Sequence, residues 1–168
     1  LIDRDQANLF AGTAGGDLYW WRLDQGPDFP AQIASTGAFE ITALSFLIGD
    51  RSLVVGQANG NLSVWFPVRP KGEEGFVLTR IHDFPPHAAA ITLIAPSQRN
   101  RTFLAKDAGG ELGIYYSTSE RTLWRGGSPA PAATAAVFAP KGDTILLAEE
   151  PADIEKKWIL IDAEGVDL

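Results

Sequence analysis

His82 and His87 are the only imidazoles in the chain. They stand five residues apart with Asp83 between them, a donor set from which a metal site could start, but such a site takes three or four ligands. No further donors follow at metal-ligand spacing, and the absence of cysteine from all 168 residues removes any thiolate site. The sequence therefore assigns no metal and no cofactor, and His87 reads as a histidine hydrogen-bonded locally. Glu149, Glu150, Asp153 and Glu155 lack the spacing of a calcium loop and read as a solvated acidic face. GTAGG (12–16) has the glycine content of a phosphate-cradling loop, but no Lys follows it and no helix begins there. With no assembled acid, base or nucleophile, the reading is of a chain with no catalytic residues and no enzymatic activity.

Two weaker chemical signals remain. Arg99, Arg101 and Arg121 lie in the stretch 69–125, which holds 8 basic and 6 acidic side chains and is the one mildly positive region of the chain. Guanidinium forks suit bidentate recognition of phosphate, so these three are the candidate oxyanion contacts. Trp20 and Trp21 are adjacent, and neighbours in a strand point to opposite faces, so this pair is the candidate partner-facing aromatic site. Overall the chain has 14 Lys and Arg against 21 Asp and Glu, a net charge of -7 that repels polyanions and argues against nucleic acid as a partner.

The elements that must position these residues announce themselves by repetition. GTAGGDLYWW (12–21), GQANGNLSVW (56–65) and KDAGGELGIY (106–115) superpose without a gap. Each has a turn ending in Gly (Gly16, Gly60, Gly110), then Leu two positions on (Leu18, Leu62, Leu112), then an aromatic (Trp21, Trp65, Tyr115). WILI (158–161) is a degenerate fourth copy. The spacings are 44 and 50 residues, and periods of this length mark propeller blades or solenoid units. Gly15-Gly16, Asn59-Gly60 and Gly109-Gly110 are expected to be two-residue hairpin turns of positive φ. Upstream of the turns, 41–57, 91–107 and 133–149 each read as strand, polar turn, strand. No window carries a helical apolar stripe. The expected fold is all-β, with about four antiparallel blade units at 1–39, 40–87, 88–130 and 131–168. These either close on themselves or form a section of a larger ring, with self-association through open blade edges.

Several strings also resemble a known family. HAAAITLIAPS (87–97), AAVFAPKGDTILLA (135–148) and Trp65 at the end of its strand resemble the WD-repeat family of β-propellers. Arg22, Phe66 and Tyr116 follow the aromatics where that family has Asp, so its hydrogen-bonded His, Ser and Asp arrangement is expected to be missing.

LIGDRSLVVGQANGNLSVWFPVR (47–69) and YYSTSERTLW (115–124) are similar to the extracytoplasmic WD-like region of long phosphate ABC-transporter permeases of Gram-negative bacteria, over roughly 41–124. That resemblance implies a non-catalytic module on the periplasmic side of the inner membrane, interacting or regulating in phosphate import. Its partners would be other transporter subunits or the periplasmic phosphate-binding protein, and its parent a membrane-embedded permease. No apolar run approaches the ~20 residues of a membrane span, and a chain opening at Leu1 without any Met reads as a piece of a longer protein. The alternative is a free-standing β-propeller that binds proteins.

Overall fold

Alternating apolar residues on both sides of a recurring glycine turn produce strands that are buried on two faces, and the computed structural model shows them. It describes residues 1–72, 74–149 and 158–162, the last five as backbone. Among the described residues, fourteen strands form four antiparallel sheets, each a meander in chain order. Blade 1 is β1 (Asn8–Gly12), β2 (Asp17–Arg22) and β3 (Gln32–Ser35). Blade 2 is β4 (Ile41–Phe46), β5 (Leu53–Gln57), β6 (Leu62–Val68) and β7 (Val77–Phe84). Blade 3 is β8 (Ile91–Pro96), β9 (Thr102–Asp107), β10 (Glu111–Tyr116) and β11 (Arg121–Gly127). Blade 4 is β12 (Ala133–Phe138), β13 (Thr144–Glu149) and β14 (Trp158–Asp162). A single 3-10 turn, Leu23–Gln25, is the only helical segment among the described residues, so none there is long and apolar enough to cross a membrane.

Each blade has two faces that differ in what they meet. One face looks toward the next blade: Phe10, Leu18 and Trp20 in blade 1, Val54, Leu62 and Val64 in blade 2, Leu104, Leu112 and Ile114 in blade 3. The rear face meets the preceding blade: Leu53, Val55 and Trp65 in blade 2, Phe103, Ala105 and Tyr115 in blade 3, Ile145 and Leu147 in blade 4. Three continuous cores result, one per junction, and every rear-face residue just named is at most 4% exposed. The first strands of neighbouring blades lie side by side, β4 against β8 and β8 against β12, so the blades fan around one edge as propeller blades do. The sheets describe an arc, and among the described residues no sheet closes on itself.

The junctions are fixed by a backbone device repeated three times. Gly16, Gly60 and Gly110 sit at φ of 85°, 84° and 86°, and their carbonyls accept the N–H of Thr36, His87 and Ser128 from the connection to the next blade. A Cβ on Gly60 would lie 2.1 Å from the His87 carbonyl oxygen, and on Gly16 1.9 Å from that of Gly37. Only the second residue of each expected pair has positive φ, since Gly15, Asn59 and Gly109 do not. The turns are thus three-residue loops, a β-turn closed by one left-handed glycine, rather than the two-residue turns the dipeptides suggest. The extra residue lets the glycine carbonyl reach the following connection.

Candidate functional site

Two places gather polar side chains. The first lies at the junction of blades 2 and 3, with His87, Asp107 and Tyr115 buried and Glu111 and Arg125 partly exposed. His87 Nε2 and the Tyr115 hydroxyl are 2.8 Å apart, and His87 Nδ1 lies 3.4 Å from Asp107 and 3.5 Å from Glu111 without a well-aligned hydrogen bond to either. Arg125 clamps both Glu111 oxygens at 2.7 Å and donates to the carbonyls of Pro85 and Pro86. Asp107 Oδ1 accepts the Glu111 N–H at 2.8 Å. Burial, reinforced by the Arg125 charge, pushes His87 below the ordinary imidazole range despite its two carboxylate neighbours. Burial likewise pushes the Tyr115 phenol up to about 12. The Arg125 hydrogen bonds hold Glu111 below the usual carboxylate range.

His87, Asp107 and Glu111 are close enough to share a cation. The guanidinium already supplies the positive charge, however, and occupies both oxygens of Glu111. The arrangement is a hydrogen-bonded strut that ties the connection at His87 to β9, β10 and β11. It sets His87 beside Asp107 without an aligned hydrogen bond between them, and it contains no Ser. The carboxylate comes from the turn before the aromatic strand, Asp107, and not from the position after the aromatic. His82 is engaged elsewhere, its Nδ1 2.8 Å from Glu120, so the structure does not bring the two histidines onto common partners.

The second place is open to solvent. Where blades 1 and 2 meet, on the side of the β4–β5 and β6–β7 connections, lies a cleft of about 470 Å³. Its acidic lining is Asp3, Asp5, Asp24 and Asp50, against Arg22 and Arg51, and Phe10, Trp20, Phe66 and Phe76 contribute rings. Burial disfavours the charge of Asp3, but hydrogen bonds from the Asn8 amide and from the N–H groups of Asn8 and Ala7 outweigh this and hold its carboxyl below the usual range. Asn8 in turn accepts the Trp20 indole N–H at 2.8 Å, so the floor is rigidly cross-linked. Arg22 lies 4.3 Å over the Phe29 ring, and its buried Nε has no partner. Nothing in the sequence marks this cleft, because its lining comes from segments far apart in the chain.

The residues singled out from sequence are distributed as follows. Arg99, Arg101 and Arg121 are all exposed, on the β8–β9 turn and at the start of β11, at one end of blade 3. Trp20 is 4% exposed, stacked on Phe10 in the first core, so it does not face a partner; the forward face of blade 1 is covered by blade 2. Trp21 lies on the opposite face, half-buried and stacked on Tyr19 at 5.4 Å. Glu150, Asp153 and Glu155 of the acidic group lie outside the described residues.

Compared with known proteins, the chain matches no family model and no curated protein sequence. Among solved structures, a chain of the crystal structure of a mitotic checkpoint complex superposes with a TM-score of 0.75 over 99% of this chain, at 12% sequence identity. This chain has an all-β, propeller-like fold. It spans about half of that neighbour, 49% of its length. At this identity the likeness is one of fold.

Proposed function

We propose that this chain is a non-catalytic, propeller-like protein-binding scaffold, and that the cleft between blades 1 and 2 takes a basic, extended segment of its partner. The cleft carries the proposal. Asp5 and Asp24 are exposed carboxylates of the lining that favour a cation, and the accessible rings of Phe66 and Phe76 can stack on one. The structural neighbour, itself part of a protein complex, agrees in kind. A photo-cross-linking residue at Asp24 or Phe76 should capture a protein in the native cell, whereas one at Thr118, on blade 3, should not. Equal capture at all three sites, or none at Asp24 and Phe76, overturns the reading.

A second reading rests on the strings 47–69 and 115–124 alone. By that resemblance the module belongs to a phosphate permease, lies on the periplasmic side of the inner membrane, and touches the phosphate-binding protein or neighbouring subunits. Deleting the region from the intact permease should then lower co-purification of the binding protein. Phosphate titrated calorimetrically against this chain should give heat that Arg99→Ala, Arg101→Ala and Arg121→Ala remove. Unchanged recovery together with no heat at millimolar phosphate overturns it.

A further inference from the structure

Where blades 2 and 3 meet, on the side of the β4–β5 and β10–β11 turns, lies another cleft, of about 240 Å³. Its lining belongs to the two four-stranded blades and to neither end of the chain. Blade 2 supplies an apolar wall. Leu47 and Val64, part of the core between these blades, are its floor, and above them Phe66 is half-buried while Ile48 and Ile81 are 39% and 38% exposed. Blade 3 supplies a polar wall. The Ser117 N–H donates to the Arg101 carbonyl at 2.9 Å, which sets the β10–β11 turn against the β8–β9 turn and brings Arg101, Ser117 and Thr118 to one side of the cleft. Ser117 is only 3% exposed, yet its hydroxyl makes no hydrogen bond among the described residues. Arg101 is exposed and takes part in no ion pair among them. His82 also lines the cleft, its ring fixed across the junction by the 2.8 Å contact of Nδ1 with Glu120.

No Asp or Glu lines this cleft, so its polar wall offers one cation and two hydroxyl donors with no carboxylate to neutralise them. A guanidinium fork matches a carboxylate bidentately, and a single cation balances a single negative charge better than a phosphate dianion. The facing apolar wall favours a ligand with a hydrocarbon body. The volume lies below the ~300 Å³ at which pockets for drug-sized ligands begin, so that body is short. We propose that the cleft binds a small free organic acid, its carboxylate on Arg101 and the Ser117 and Thr118 hydroxyls, and its apolar body on Ile48, Phe66 and Ile81. The site goes beyond the scaffold role: of its residues only Phe66 also borders the acidic cleft. It is also distinct from a three-arginine phosphate site, because Arg99 and Arg121 do not line it.

The test is a titration of the chain with hexanoate, followed through the backbone amide resonances. The amides of Ile48, Ile81, Ser117 and Thr118 should shift saturably, while those of blade 1 stay in place. Arg101→Gln removes the charge at an exposed position and should weaken binding about tenfold or more, as loss of a hydrogen bond to a charged group does. Ile81→Asn, also at an exposed position, should weaken it as well, with the remaining resonances of both variants unmoved. Hexan-1-ol and inorganic phosphate, which each lack one half of the ligand, should bind far more weakly. No saturable shift at tens of millimolar hexanoate overturns the proposal, as does hexanol or phosphate binding as tightly, or an affinity untouched by Arg101→Gln. A tripeptide ending in Leu that binds more tightly than hexanoate would assign the cleft to a chain end and overturn the free acid. None of these outcomes bears on capture at Asp24 or Phe76.

Discussion

His87 is held neutral where a charge would help its neighbours, and this sets a pH dependence. Burial and Arg125 push its proton affinity down, while Asp107 and Glu111 only partly offset them. As pH falls below the ordinary imidazole value of about 6.5, the unfolded chain takes up a proton before the folded one does. The stability present above that pH is lost through the window beneath it. The urea midpoint should drop between about pH 7 and about pH 5. His87→Gln should flatten that slope, and parallel slopes for the two proteins would assign it to other groups. The strut itself is poorly legible in sequence. His87, Asp107, Glu111 and Arg125 belong to three segments that only the blade junction brings together, and Arg125 reads beforehand merely as one more cation in a basic stretch.

At the scale of the element, the repeat is readable because the junction demands it. Leu18, Leu62 and Leu112 recur since each must fill the same forward core, and Trp65 and Tyr115 recur since each seals the core behind it. The turns are legible in position but not in type, because a glycine pair does not reveal which of its members takes positive φ. Trp20 misleads for a related reason. Strand alternation puts one tryptophan on each face but does not say which face is covered. The junction glycines yield a graded prediction. Gly60→Ala pays both the left-handed backbone and a collision with the His87 carbonyl. Gly72→Ala has nearly the same φ, 85°, but open space around it, and should cost about 1–2 kcal/mol. Thermal unfolding of the two variants should show the larger loss at Gly60, and equal losses would remove the junction from the explanation.

Over the whole molecule, each core joins only adjacent blades, as in proteins whose stability is a sum of nearest-neighbour terms. Leu147→Ala empties part of the third core and should cost about 2–5 kcal/mol there. Amide exchange should accelerate in β12 and β13 while β5 and β6 keep their protection. Uniform acceleration along the chain would mean that the arc unfolds as one unit. The order of the blades is also written into these cores. A Cβ on Gly12 would sit 2.4 Å from Ile41, and one on Gly56 2.5 Å from Ile91. At the third junction the pair is Lys106 and Ala133, the bulk having moved from the leading residue of one blade to the trailing residue of the other. Blades shuffled by duplication would therefore not be interchangeable parts. A gene in which blade 2 was copied in behind blade 3 would set Ile41 against Lys106, two large side chains where the architecture has room for one.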